Sequence, residues 1–347
     1  MEFKLDRLVR KSVKGLLPYS SARDEYTSEG NSMTFLDADE SPYPNGINRY
    51  PDPQQRTLKF ELSRKYQVPE TSILLGNGSD EVLDLIYRAF CEPNVDNIIT
   101  MPPTYGMYKV LAGINAIENR EVLLTSDFQL NIEGILNAVD KNTKLILLCT
   151  PNNPTGNSFS YDSLLKLLVD FNGLVVVDEA YIDFAKQKSL LSELTTYPNL
   201  ILTRTLSKAY GMAGIRLGIC LASKEIIATL NKIKPPYNIN ELTQGRALQE
   251  IINEEQTKKR IAEIISEKER LLEALSSVKC IKVIYPSEAN FILAKVDDAP
   301  VRYKQLLAKG IVVRNRSTQP LCENTLRFSI GLPSENDILI EALKKIG

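Results

Sequence analysis

The chain has 347 residues, is 43% hydrophobic and 24% charged, and carries a formal net charge of -1, which suffices for one large core plus a smaller one. Acids and bases interleave along it, so no basic face points to nucleic acid or an anionic membrane, and small molecules are the expected ligands. It contains no histidine. That removes Ser-His-Asp and Cys-His nucleophile systems, paired-histidine metal sites and imidazole acid–base chemistry together, leaving Lys, Tyr, Asp, Glu or a cofactor to move protons.

The opening M-E-F-K-L-D-R-L-V-R-K-S-V-K alternates charge with apolar residues and lacks the continuous apolar core of a signal peptide. No apolar run approaches the roughly 20 residues of a membrane span. Cys91, Cys149, Cys220, Cys280 and Cys322 are scattered, mostly in apolar runs, and read as buried thiols of a cytoplasmic protein.

From about residue 70 the chain alternates strand-like and helix-like segments. T-S-I-L-L-G, N-I-I-T-M, K-L-I-L-L-C-T, G-L-V-V-V-D-E, N-L-I-L-T-R-T and I-R-L-G-I-C-L read as strands, with S-D-E-V-L-D-L-I-Y-R-A-F and Y-D-S-L-L-K-L-L-V-D-F as helices between them. Continuous apolar strands separated by amphipathic helices predict an α/β fold with a mostly parallel sheet covered on both faces. The pattern stops near Lys234-Pro235-Pro236, and helical spacing follows from about Glu241 to Val278, broken once at N-E-E-Q-T-K-K-R. A coiled coil is one reading, and a helix or bent pair of helices linking two domains is the expected one, because the apolar repeat breaks once. Beyond it K-V-I-Y-P, N-F-I-L-A-K-V, I-V-V-R-N-R and L-R-F-S-I-G read as strands of a small α+β domain, with helices at about 299–309 and 334–346. Ser334 with Asp337 resembles an N-cap box.

Four loops could carry chemistry. G-N-G-S-D-E (76–81) follows a strand and opens a helix, so it is either a well-capped turn or a backbone anion site. C-T-P-N-N-P-T-G (149–156) is a rigid turn at a strand's carboxyl end, where open α/β sheets bind ligands. Asp178 leaves a very apolar strand and is either a helix cap or a partner for a protonated nitrogen. In T-R-T-L-S-K-A-Y-G-M-A-G-I-R-L-G (203–218), Ala209, Gly211, Ala213 and Gly214 are expected to allow close backbone approach around Lys208, with Ser207 and Arg216 suited to grip a phosphate. A lysine beside cationic or apolar neighbours has a lowered pKa and attacks carbonyl groups.

T-L-S-K-A-Y-G-M-A-G-I-R-L-G, P-N-N-P-T-G and V-D-E-A-Y, in that order, resemble the pyridoxal 5'-phosphate (PLP) site of fold-type I aminotransferases. More narrowly, L-D-A-D-E-S-P-Y-P, N-R-Y-P-D-P, G-N-G-S-D-E, P-P-T-Y-G-M-Y, the Arg314 strand and L-R-F-S-I-G are similar to histidinol-phosphate aminotransferases. The resemblance implies an N-terminal arm over residues 1–28, a large PLP-binding domain with a seven-stranded sheet over 29–240, and a linking helix with a small domain over 241–347.

It further implies that Lys208 condenses with the cofactor aldehyde and later shuttles a proton. Asp178 would pair with the pyridinium nitrogen, Asn153 and Tyr181 would bond the 3' oxygen, and Tyr105 would stack on the ring. Gly78, Ser79, Asp80, Ser207 and Arg216 would cradle the cofactor phosphate, and Tyr50 would reach the phosphate of the neighbouring subunit of a homodimer. Arg327 would hold a substrate carboxylate, with Arg314 as a second clamp for a phosphate, Arg316 facing either pocket or solvent, and Tyr19 closing over the same group. No metal is implied. Asp39 and Ser41 depart from the asparagines frequent in the family, and Asp39 would add negative charge near that anion. The implied reaction exchanges an amino group between L-histidinol phosphate with imidazole-acetol phosphate, and glutamate with 2-oxoglutarate. Threonine-phosphate decarboxylase, an aromatic aminotransferase, or a non-catalytic regulator with a PLP fold are the competing readings.

Overall fold

The computed structural model describes residues 3–19 and 34–346. A short α1 (Lys11–Lys14) and then α2 (Arg56–Tyr66) precede the sheet. Strands β1 (Ile73–Asn77), β2 (Asn97–Thr100), β3 (Glu118–Glu121), β4 (Thr143–Cys149), β5 (Leu174–Asp178), β6 (Leu200–Thr205) and β7 (Leu217–Ala222) form one seven-stranded sheet in the order β1-β7-β6-β5-β4-β2-β3. The strands from β6 to β3 run parallel, whereas β7 is antiparallel to both β6 and β1. The mostly parallel sheet expected from the apolar runs is therefore present. One strand escaped that pattern: β3 reads E-N-R-E and lies half-exposed at the sheet edge, where polar residues suit an unpaired flank.

Helices α3 (Ser79–Phe90), α4 (Met107–Ile114), α5 (Ile132–Asn137), α6 (Tyr161–Asp170) and α7 (Lys224–Asn231) lie between or after these strands. In α3, Val82, Leu83, Leu85, Ile86, Ala89 and Phe90 are buried in the large core, so this helix seats its whole apolar face on the sheet and fixes where its N-terminus points.

After α7 come α8 (Glu241–Ile252) and α9 (Glu255–Ser276), separated at Asn253–Glu254, where the apolar repeat breaks in the sequence. In α9, Ile261, Ile264 and Ile265 pack on the large core, while Leu271 and Leu275 are buried in a second, smaller core. The smaller core is roofed by an antiparallel sheet of β8 (Ile281–Ile284), β9 (Phe291–Val296), β10 (Arg314–Asn315) and β11 (Thr325–Ser329), in the order β10-β11-β9-β8. Helices α10 (Ala299–Ala308) and α11 (Pro333–Ile346) complete it. The expected cap box at Ser334 is corrected: α11 starts one residue earlier, and Glu335 and Asn336 accept from the Leu332 and Gly331 N–H groups at 2.8 and 3.0 Å. Asp337 instead takes a hydrogen bond from Arg270 Nη1 at 2.6 Å.

The clearance expected of the glycines after Lys208 also needs correction. A Cβ at Gly211 or Gly214 would meet nothing within 4 Å, and Gly211 serves by its φ of +64°. The tight approach is at Gly218 on β7, whose Cβ would stand 2.3 Å from Ser79 N and 2.4 Å from Gly78 C, both backbone atoms. The start of α3 can rest on β7 only because that position has no side chain. Gly218→Ala is therefore expected to lower stability by roughly 1–3 kcal/mol through overpacking, whereas Gly214→Ala leaves the melting temperature within about 1 °C of wild type. Thermal melts of the two variants check this, and equal melting temperatures would refute the assigned contact.

Candidate active site

A cavity of about 280 Å³ opens where the carboxyl ends of β4, β5 and β6 and the start of α3 face β10 and β11 of the small sheet. Ser79, Asp80, Tyr105, Asn153, Asp178, Tyr181, Ser207, Lys208, Arg216, Arg314 and Arg327 all line it. Residues more than 240 positions apart in the sequence thus meet in one cleft because the sheet aligns strand ends.

One end is built to receive an anion. Gly78 is the N-cap of α3 and supplies no side-chain cap, so the first N–H groups of a 12-residue helix are free to donate outward. Gly78 does not itself line the cleft. Its φ is +80°, and a Cβ there would lie 2.6 Å from Arg216 Nη2, so its bareness makes room for the guanidinium. Arg216 adopts left-handed backbone and is held by Ala213 O at 3.4 Å and, more loosely, by Asp80 at 3.9 Å. Asp80 also accepts from the Tyr105 hydroxyl at 3.1 Å. Across from it, the Thr205 and Ser207 hydroxyls are bonded to each other at 3.0 Å.

The middle of the cleft holds an acid and a base with opposite shifts. Asp178 is 3% exposed at the end of β5. Burial pushes its carboxyl up to about 6, although the Tyr108 hydroxyl at 3.1 Å and the Ala180 N–H at 3.2 Å favour the ionised form. Lys208 opens into the cleft with Nζ 5.7 Å from the Tyr181 ring centroid. Desolvation first, and the Arg327 charge next, pull its ammonium below the ordinary lysine value. Behind them a buried pair steadies the strand ends: Arg204 donates to Glu179 Oε2 at 3.0 and 2.8 Å, and Glu179 accepts from Ser189 Oγ and Leu190 N at 2.7 and 2.9 Å.

The far end is cationic. Arg314 on β10 and Arg327 on β11 are register partners. Arg327 lies over the Phe291 ring at 4.8 Å and donates to Asn153 Oδ1 at 2.5 Å. Desolvation, with Arg314 adding to it, lowers its pKa. Arg316, left open between pocket and solvent by the sequence, is half-buried and lines the same cleft. The alternation of Arg314 and Arg316, two apart on a strand, was the signal that could have placed them on one face.

Tyr108, Thr205 and the Glu179–Arg204 pair were missed by the sequence reading. Tyr108 stood in the quoted P-P-T-Y-G-M-Y, but only the fold shows which of its two tyrosines reaches Asp178. Two predicted residues stand elsewhere in the single chain. Tyr19 is 70% exposed and does not line the cleft. Tyr50 borders a separate groove of about 450 Å³ with Asp39 and Glu241, and stacks on Tyr237 at 4.5 Å. Asp39 therefore lies outside the cleft of its own chain.

Residues 38–343 match the family described as aminotransferase class I and II. The chain is 62% identical over 343 residues to a histidinol-phosphate aminotransferase of Flavobacterium johnsoniae, covering 99% of this chain and 98% of that protein. Among solved structures, the histidinol-phosphate aminotransferase from Clostridium acetobutylicum superposes with a TM-score of 0.80 at 25% identity, over 86% of this chain and 91% of that one. The enzyme of the same name from Sinorhizobium meliloti, in complex with pyridoxal-5'-phosphate, has the same TM-score of 0.80 at 25% identity over 86% of this chain and 83% of that one. A lysine with a lowered pKa over a buried carboxylate, on a seven-stranded sheet of this order, is thus set in a chain that belongs to the class I and II aminotransferases.

Proposed function

We propose that this aminotransferase uses PLP to exchange an amino group between L-histidinol phosphate and 2-oxoglutarate, giving imidazole-acetol phosphate and glutamate in histidine biosynthesis. The observation that carries the substrate reading is the far end of the cleft, where Arg314 and Arg327 stand as register partners without a carboxylate partner among the described residues. Arg327 alone suits the α-carboxylate of glutamate, and a phosphate on the amine substrate calls for the second guanidinium as well. The 62% identity to a protein named for this reaction supports the same assignment.

The residues fit PLP. The uncapped start of α3 at Ser79 and Asp80, with Ser207 and Arg216, offers backbone and side-chain donors to its phosphate, and Gly78 leaves the space that such packing needs. Asp178 would hold the proton of the ring nitrogen, and the Tyr108 hydroxyl donates to its carboxylate at 3.1 Å. Asn153 and Tyr181 can bond the ring hydroxyl oxygen, and the Tyr105 ring can cover its face.

When bound, PLP supplies an aldehyde that captures the amino group and a ring that spreads the electron pair left when a Cα–H proton departs. Lys208 Nζ is the base for that proton: the chain has no histidine, Lys208 is the amine lining the cleft, and desolvation followed by the Arg327 charge shifts it toward its neutral form. Arg327 and Arg314 orient the substrate anion, so the amine-bearing carbon is presented to Lys208 rather than to solvent.

The partner reading is a homodimer in which Tyr50 reaches the cofactor phosphate of the second copy and Tyr19 closes near the substrate. Exposed apolar side chains gather on the same segment, with Leu36 at 91%, Tyr43 at 80%, Ile47 at 57% and Tyr50 at 52%, which supports a covering partner. Light scattering is expected to give twice the chain mass of 38.9 kDa.

Purified holoenzyme is expected to convert histidinol phosphate and 2-oxoglutarate, and Lys208→Ala to lower kcat by roughly 10²- to 10⁴-fold. Carbon dioxide release from threonine phosphate, or equal turnover of phenylalanine, would replace the substrate assignment. Full turnover by Lys208→Ala would remove the mechanism.

The shift of Asp178 gives a pH test. Its folded value of about 6 lies above the ordinary 3.8, so the folded protein binds the proton more tightly than the unfolded chain. The cofactor-free protein therefore loses stability as pH rises from about 4 to 6, by an amount on the order of 3 kcal/mol, and regains it on acidification. Asp178→Asn should be the more stable cofactor-free protein at pH 8 by about 1–3 kcal/mol, with the advantage shrinking below pH 6, while retaining PLP more weakly. Denaturant melts at pH 5 and 8 measure this, and a variant less stable than wild type at pH 8 would contradict it.

A further inference from the structure

Arg316 has no part in the reaction as derived above, yet its surroundings are those of a ligand-binding group. It follows β10 two residues after Arg314, and its backbone N–H donates to Thr325 O at 3.0 Å, tying it to β11 two residues before Arg327. The side chain shares the cleft with both arginines. Its Nε is fully buried without a hydrogen-bond partner, and Arg327 Nε is in the same condition. Among the described residues, no ion pair joins any of the three guanidiniums to a carboxylate. Burial, Arg327 and Arg314 together pull the Arg316 pKa down to about 10, as expected of a cation beside two others and no counter-ion.

Leaving buried donors unpaired next to like charges is unfavourable, and an anion in the cleft relieves both conditions. The kind of anion follows from the donor count. A carboxylate has two oxygens and one charge, which a single planar guanidinium satisfies in bidentate fashion. A phosphate monoester presents three terminal oxygens and about 1.5 to 2 charges near pH 7. Glutamate brings two separate carboxylates, which two guanidiniums satisfy, so the third is in excess for glutamate, whereas the three oxygens of one phosphate can engage all three.

We propose that Arg316 is a specificity-determining residue, which with Arg314 and Arg327 forms a three-guanidinium receptor for a phosphate dianion and favours the phosphorylated amine over the carboxylate substrate that shares the cleft. This rests on the substrate reading given above, and it assigns to one side chain the choice between the two half-reactions.

The test measures the two half-reactions of the holoenzyme separately, with histidinol phosphate and with glutamate, for wild type, R316Q and R316K. In R316Q the ratio of kcat/KM for histidinol phosphate to that for glutamate is expected to fall by about 10- to 100-fold, through KM, and R316K is expected to recover part of it. Inorganic phosphate, as an inhibitor of the wild-type glutamate half-reaction, should bind more tightly as pH rises through its second ionisation, and R316Q should flatten that dependence. A ratio within about 3-fold of wild type overturns the proposal. So do equal losses in both half-reactions, which would mark Arg316 as a support for the turn of Ser317 and Gln319. If wild type does not turn over histidinol phosphate but R316Q still weakens inorganic phosphate by about tenfold, the substrate assignment fails and the three-arginine receptor stands.

Discussion

The cleft holds five cations, Lys208, Arg216, Arg314, Arg316 and Arg327, against two carboxylates, Asp80 and Asp178. This imbalance is the constraint around which the rest of the structure is arranged. Positive charge so close together is eased at three of the five groups by a ring, an amide or water. Arg327 rests on the Phe291 ring and Asn153, Lys208 stands near the Tyr181 ring face, and Arg216 stays half in solvent. Among the described residues, the one carboxylate within ion-pair reach of any of them is Asp80, 3.9 Å from Arg216. The cleft is therefore preorganised for ligands carrying two negative groups, one for each end.

The two ends belong to different sheets, so the distance between them depends on how the small sheet is fixed to the large one. The P-N-N-P-T-G turn does both jobs. Asn153 faces the cleft, while Asn152 is fully buried and donates to Pro103 O at 2.8 Å and Thr155 Oγ1 at 2.7 Å, holding the turn against the Tyr105 loop. Three residues on, Gly156 O accepts from Glu288 N at 2.7 Å, and a Cβ at Gly156 would stand 2.5 Å from Ser287 Oγ. Ser158 Oγ adds a bond to Glu288 at 2.6 Å. The entry to β9 is thus latched to the end of β4, and α9 carries apolar side chains into both cores. Residues that look like a simple turn in sequence set the span of the cleft.

The sheet and the break between α8 and α9 were legible because they depend on local signals, continuous apolar strands and helical spacing, whereas the cleft residues Tyr105, Asn153, Tyr181, Arg314 and Arg327 were named through the resemblance of their motifs to a known family. What was not legible depends on pairs distant in the sequence. Gly218 and Ser79 are in contact only because β7 returns antiparallel beside β1, whereas an added Cβ at Gly211 or Gly214, nearer to Lys208 in sequence, would meet nothing within 4 Å. The E-N-R-E strand has no apolar signal because its exposure at the edge demands none. Tyr108 could not be chosen over Tyr105 as the partner of Asp178, since a helical start turns one ring inward and the other over the cleft. Tyr19 and Tyr50 are a different case: their predicted positions require a second chain, which a single-chain fold does not test.

The opposite shifts of Asp178 and Lys208 have a common origin. Loss of hydration raises the acid and lowers the base, fully for Asp178, which is 3% exposed, and only in part for Lys208, which opens into the cleft, so each is pushed toward its neutral form. Lys208 is also pushed by Arg327, the residue proposed to hold the substrate anion. An anion seated on Arg327 cancels part of that charge, and the Lys208 amine then binds a proton more firmly than it did in the open cleft. Base strength and substrate binding are in this way coupled through one guanidinium. In a chain without histidine, desolvation and a neighbouring guanidinium lower the proton affinity of this lysine, and that guanidinium is the one proposed to hold the substrate anion.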